Sequence, residues 1–124
     1  MKIFGVGTDL LEISRLKSSN IFPLAKRILS SYEITQFEYS KNKTLFLAKR
    51  FCVKEAVAKA FGVGIGKSLS FKDITLSNDA LGKPVCTVCM EVSQKITNHE
   101  VLVHVSISDT KDLVLSYCVI ELIT

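Results

Sequence analysis

Tryptophan is absent from this 124-residue chain, and proline and histidine each occur only twice. So few prolines, with 48% apolar and 23% charged residues, exclude a disordered or collagen-like polypeptide. There is no run of eighteen apolar residues, so no helix is expected to span a membrane. Asp9 and Glu12 interrupt the short apolar opening, which argues against a secretory signal. The chain lacks linkers, repeats and low-complexity tracts. It reads as one domain, residues 1–124, able to bury about two thirds of its unfolded surface.

Cysteine is sparse and poorly arranged for a metal. Cys86-Thr87-Val88-Cys89 has CxxC spacing, but no second such pair and no paired histidines accompany it. On a strand, residues three apart point to opposite faces. Cys52, Cys86, Cys89 and Cys118 are therefore expected to be reduced, buried thiols of a cytosolic protein.

Acidic residues are scarce in the first half. Residues 1–67 hold 12 Lys and Arg against 5 Asp and Glu, whereas residues 68–124 hold 4 against 7. A basic half on a small domain favours an anionic partner: nucleic acid, a phosphorylated ligand or an acidic protein. Nucleic acid is disfavoured, because no basic run exceeds Lys49-Arg50 and no strand mixes aromatic and basic residues in an RNA-binding pattern.

The hydrophobic pattern predicts helices early and strands late, an α+β fold with helices of the N-terminal half packed on an antiparallel sheet. A strand is expected over 2–7. A short helix follows from Asp9 to Lys17, with Asp9-x-x-Glu12 as a capping box. Pro23 opens a second helix to about Leu29. A third spans Ser31–Tyr39, capped by Ser30 or Ser31. The longest runs from Leu45 to Phe61 and stops at Gly62. Strands are expected at 74–77, 85–88, 101–108 and 113–121, with a helix over 91–97.

The helix from Leu45 to Phe61 concentrates the chemistry. Leu45, Cys52, Val53, Ala56, Val57 and Ala60 make a broad apolar face. Glu55 and Lys59 share one edge of it, Arg50 and Lys54 the other. Leu47 and Phe51 lie where solvent should be, so the helix is expected to be covered on most sides. Charges on a covered helix need partners or ligands. Glu55 and Lys59 also read as an ordinary surface pair. Asp9 reads equally as a helix cap or as an oxygen ligand meeting Glu55, and two carboxylates with open positions suit Mg²⁺. Gly62-Val63-Gly64-Ile65-Gly66 is neither a Walker A loop nor a dinucleotide fingerprint. His104 alternates with Leu102 and Ser106 on a strand and is by itself most simply a structural residue.

Four blocks in order resemble a known family. They are Gly7-x-Asp9 with Arg15; Phe46 to Gly62, containing Lys54-Glu55-Ala56-x-x-Lys59-Ala60; Gly64-Ile65-Gly66 with Asn78-Asp79 and Gly82-Lys83-Pro84; and His104-Val105-Ser106-Ile107-Ser108 with Val119-Ile120-Glu121. Together they resemble the holo-[acyl-carrier-protein] synthases, the small bacterial type of 4′-phosphopantetheinyl transferase, over essentially the whole chain.

The resemblance implies the fold of that family and an enzyme that moves 4′-phosphopantetheine from coenzyme A to a serine of apo acyl carrier protein. Adenosine 3′,5′-bisphosphate is the other product, and the activity serves fatty acid biosynthesis. Asp9, Glu55 and Lys59 are implied as catalytic, with Asp9 and Glu55 holding Mg²⁺. Arg50, Lys59, Gly62, Gly64 and His104 are implied to meet the coenzyme. The serine proton passes to Glu55 or to a water on the metal. Arg15 and Arg27 are implied to dock the acidic carrier, with Lys17 and Lys26 beside them. The resemblance further implies a cytoplasmic homotrimer with active sites between subunits, and neither nucleic acid nor membrane as partner. The stretch between Arg15 and Arg27 is less basic than in some relatives. The last strand carries Leu115, Ser116, Tyr117 and Cys118 where relatives favour alanine.

Overall fold

The computed structural model describes residues 2–17 and 20–124. Their order is β1 (Lys2–Glu12), α1 (Ser14–Lys17), α2 (Ile21–Ile28), α3 (Ser31–Tyr39), α4 (Lys43–Phe61), β2 (Ile74–Asn78), β3 (Pro84–Val88), α5 (Met90–Thr97), β4 (Glu100–Asp109) and β5 (Leu113–Ile123). A 3₁₀ turn, Phe71–Asp73, leads into β2. The strands form one antiparallel sheet ordered β1-β5-β4-β3-β2. The expected α+β division holds.

The expected helix from Asp9 to Lys17 does not. β1 continues through Glu12, pairing Asp9 with Ser116, Leu10 with Leu115, Leu11 with Val114 and Glu12 with Leu113. Only Ser14–Lys17 is helical. A local capping pattern is outweighed by a full ladder on β5 that also buries Leu11.

The helix ends follow their side chains. Asn20 caps α2 by accepting from the Phe22 N–H. The helix starts two residues before Pro23, whose missing N–H falls in the first turn and costs nothing. Ser30 and Glu33 form a reciprocal capping box on α3. Asn42 caps α4, and Gly62 closes it at φ 77°, a left-handed conformation that glycine adopts without strain.

α4 lies across the sheet and is covered nearly all round: Leu47, Ala48, Cys52, Val53, Ala56, Val57, Ala58 and Phe61 are all buried. It joins two apolar clusters, one with α1, α2 and α3, the other with β2, β3, β4 and β5. Its approach to β1 is close enough to require glycine. A Cβ on Gly5 would stand 2.0 Å from the Ala60 carbonyl oxygen, and one on Gly7 2.1 Å from that of Ala56. Two strand residues advance about 6.6 Å and four helix residues about 6 Å. The steps Gly5, Gly7, Asp9 therefore stay level with Ala60, Ala56, Cys52.

Three of the four cysteines are buried and none is bonded to another. Burial pushes the Cys52 thiol up to about 11 and those of Cys86 and Cys118 up to about 12. Cys89 departs from the expectation: it is exposed, as the residue that precedes α5.

Candidate active site

The β1–α4 seam brings Asp9, Glu55 and Lys59 together. Asp9 belongs to the inward set of β1, with Gly7 and Leu11. Its backbone carbonyl accepts from the Cys52 thiol at 3.3 Å. The Ser116 hydroxyl on β5 donates to the Cys52 carbonyl at 2.8 Å, and Thr8 donates to the Ser116 carbonyl at 2.8 Å. The Asp9 backbone is thus fixed from helix and sheet alike.

One helical turn separates Glu55 from Lys59. The Lys59 ammonium lies 3.1 Å from Asp9 Oδ1 and donates to the Thr8 carbonyl at 3.0 Å. Partial burial pushes the Glu55 carboxyl up, the Asp9 charge adds to this, and Lys59 opposes it. Two carboxylates close enough to repel, with an ammonium beside them, form a charge cluster open to solvent.

A cavity of about 930 Å³ opens elsewhere along α4. Gln36, Tyr39, Phe46, Lys49, Arg50 and Lys83 are among the residues that line it. Arg50 is only 5% exposed. Its guanidinium stacks 3.7 Å above the Phe46 ring centroid and donates to Gln36 Oε1 at 3.3 Å. Lys49 pairs with Asp109 at 3.6 Å on the rim. Two lysines, an arginine and two aromatic rings suit an anionic ligand with a flat ring system.

The remaining expected residues are dispersed. Gly62 and Gly64 have positive φ past the end of α4, and nothing lies within 4 Å of where their Cβ atoms would stand. Exposed Arg15 and Lys17 end α1, and exposed Lys26 and Arg27 end α2. His104 lies on the outer face of the sheet, away from α4, with Nε2 2.9 Å from Glu121 Oε1. One chain therefore unites Asp9, Glu55 and Lys59, places Arg50 in the cavity and leaves His104 on the far side. The sequence reading missed Glu33, a completely buried carboxylate bonded to Lys54 and adjoining Arg50. Its capping role in Ser30-x-x-Glu33 masks it, since that motif is explained without any buried charge.

Paired carboxylates beside an ammonium, with a separate cationic cavity on the same helix, mark an α+β domain suited to anionic ligands. The model of the 4′-phosphopantetheinyl transferase superfamily matches residues 5–118. The holo-[acyl-carrier-protein] synthase of Vibrio campbellii (strain ATCC BAA-1116) is 43% identical, over 98% of this chain and 99% of that protein. The crystal structure of the Neisseria meningitidis holo-[acyl-carrier-protein] synthase superposes with a TM-score of 0.86 at 36% identity, covering 97% of this chain and 99% of that one. The Bacillus anthracis str. Ames synthase, solved in complex with CoA (3′,5′-ADP), gives a TM-score of 0.83 at 36% identity, covering 96% of both chains. The chain belongs to the 4′-phosphopantetheinyl transferase superfamily.

Proposed function

We propose that this protein is a holo-[acyl-carrier-protein] synthase. It transfers 4′-phosphopantetheine from coenzyme A to a serine of apo acyl carrier protein, releases adenosine 3′,5′-bisphosphate and serves fatty acid biosynthesis. The observation that carries this reading is the Asp9–Glu55–Lys59 cluster at the β1–α4 seam, in a chain matched over nearly its full length by such synthases.

In the reaction the serine Oγ attacks the pyrophosphate phosphorus that bears the pantetheine arm, and the bond from that phosphorus to the nucleotide half breaks. Such a displacement depends on positioning and charge neutralisation. The half-exposed Lys59 ammonium supplies positive charge to a phosphate oxygen at the seam. Glu55, one helical turn from Lys59 at the seam, is the side chain assigned to accept the serine proton. Arg50 and Lys49 supply charge for the coenzyme's phosphates in the cavity, and the Gly62–Gly64 backbone gives the nucleotide close approach.

Mg²⁺ fits the donors at the seam. They are two carboxylates near enough to raise Glu55, with the Lys59 ammonium beside Asp9. An ion that keeps waters and takes phosphate oxygens matches that open set, with Asp9 and Glu55 holding it. When bound it neutralises charge on the pyrophosphate.

Arg15 and Arg27, with Lys17 and Lys26, present exposed cations to an acidic carrier. The protein acts in the cytoplasm as a homotrimer. In support of that assembly, Val6, Leu10, Leu102, Leu115 and Tyr117 are exposed on the sheet face opposite α4. Trimerisation brings His104 of that face to a neighbouring subunit's site.

The deciding experiment is intact mass of apo acyl carrier protein after incubation with this protein, coenzyme A and Mg²⁺. A gain of about 340 Da, the mass of the transferred arm, is expected and should be abolished by EDTA. No gain with several carriers, from protein shown to be folded, would overturn the reading.

A further inference from the structure

Glu33 is a completely buried carboxylate with no place in the transfer chemistry. Its Oε1 accepts from the Lys54 ammonium at 2.6 Å and from the Ser30 N–H at 2.9 Å, and its Oε2 accepts from the Leu76 N–H at 3.0 Å. α3, α4 and β2 thus fix it from three sides. Lys54, itself wholly buried, also donates to the Ile28 and Phe71 carbonyls.

The same Oε2 lies 3.6 Å from Arg50 Nε, near enough for ionic attraction and too far for a hydrogen bond. That Nε has no hydrogen-bond partner among the described residues. On the Nη2 side the guanidinium is held by Gln36 Oε1 at 3.3 Å and by the Leu76 carbonyl at 3.5 Å. Phe46 supports its face. No protein acceptor among the described residues takes Nη1. One buried carboxylate therefore faces two cations, Lys54 and Arg50. The unmatched positive charge is carried by Arg50, which lines the cavity.

We propose that Glu33 and Gln36, neighbours one turn apart on α3, are positioning residues that hold the Arg50 guanidinium for an anionic group of the ligand. Arginine is a long side chain, and fixing its rotamer beforehand lowers the cost of binding. Neither residue needs to touch the ligand's anion: each acts through Arg50. This inference rests on the reading that coenzyme A occupies the cavity.

The test is steady-state kinetics for coenzyme A on Glu33→Gln, Gln36→Ala and Arg50→Ala, and on each α3 variant combined with Arg50→Ala, with folding checked by circular dichroism. Glu33→Gln, which removes a buried ionic attraction, should raise KM about tenfold, and Gln36→Ala, which removes one hydrogen bond to the guanidinium, about threefold, with kcat within about twofold. In the Arg50→Ala background neither should raise KM further, because residues acting through one group are not additive. A folded Glu33→Gln or Gln36→Ala with unchanged KM overturns the proposal, and so does a full rise on top of Arg50→Ala. If Glu33→Gln fails to fold, the Gln36→Ala pair decides by the same two criteria. Wild-type protein that neither turns over nor binds coenzyme A in calorimetry defeats the functional reading first, and the inference with it.

Discussion

Lys59 Nζ stands 3.1 Å from Asp9 Oδ1, joining the middle of an edge strand to the last turn of the longest helix. The lysine side chain is 55% exposed, so solvent screens the pair and its contribution to stability is small. In the proposed reaction its value lies in holding a cation where a phosphate arrives. Lys59→Met should therefore keep the thermal midpoint within about 2 °C while kcat falls about a hundredfold or more. Differential scanning fluorimetry and carrier labelling read the two effects separately. A large drop in midpoint with kcat retained would reverse the assignment.

The Gly7 position tests the strand–helix seam from the other side. A methyl there meets the Ala56 carbonyl oxygen at 2.1 Å and the Ala60 nitrogen at 2.7 Å, both backbone atoms that no rotamer change can move. Gly7→Ala should cost about 2–4 kcal/mol and abolish labelling, because relieving the clash lifts Asp9 away from Glu55. Urea denaturation measures the first effect. A variant of wild-type stability would show that the seam is looser than these contacts require.

Much of this seam was legible in the chain, and the limits have physical causes. α4 declared itself through apolar residues on all sides, and its cap through Gly62. The strand pattern after residue 73 placed β2 to β5 within one to two residues. β1 was cut short because Asp9-x-x-Glu12 satisfies a local rule, whereas the ladder that overrides it comes from β5, a hundred residues away. The meeting of Asp9 with Lys59 depends on that override, since a helical Asp9 would turn off the seam. Arg50 could be singled out, but its surroundings could not. Phe46, four residues before it on α4, is a spacing neighbour, but Glu33 and Gln36 reach it from α3, a helix whose packing on α4 no spacing rule encodes.

Glu55 makes a pH prediction whose sign is fixed. Its folded carboxyl is pushed above the ordinary 4.5, first by burial and then by Asp9, so folding favours the protonated form. The stability this contributes is complete below pH 4.5 and is lost as pH rises through the higher folded value. At pH 7 the ionised Glu55 is therefore a burden on the metal-free protein. Glu55→Gln should raise the thermal midpoint at pH 7 by about a degree or two in the presence of EDTA. It should give no gain at pH 4 and should lose transfer activity. Midpoints measured across pH check this, and a gain that persists unchanged at pH 4 would contradict the linkage.

The outer sheet face carries the last prediction. Leu115 is 46% exposed and Tyr117 49%, and across from them on β1 stand Leu10 at 60% and, beside Tyr117's neighbour Val119, Val6 at 56%. α4 covers only the opposite face, so this apolar surface stays wet unless another chain covers it. Burying a glutamate among such residues without a partner is costly. Leu115→Glu should therefore convert a trimer to monomers in sedimentation velocity without unfolding the chain, because its side chain points away from the core. In the proposed assembly transfer activity should fall with it, because His104 lies on the face away from the seam and would meet a site only across a subunit boundary. A wild-type protein that sediments as a fully active monomer would remove the trimer from the account and leave Asp9, Glu55 and Lys59 sufficient within one chain.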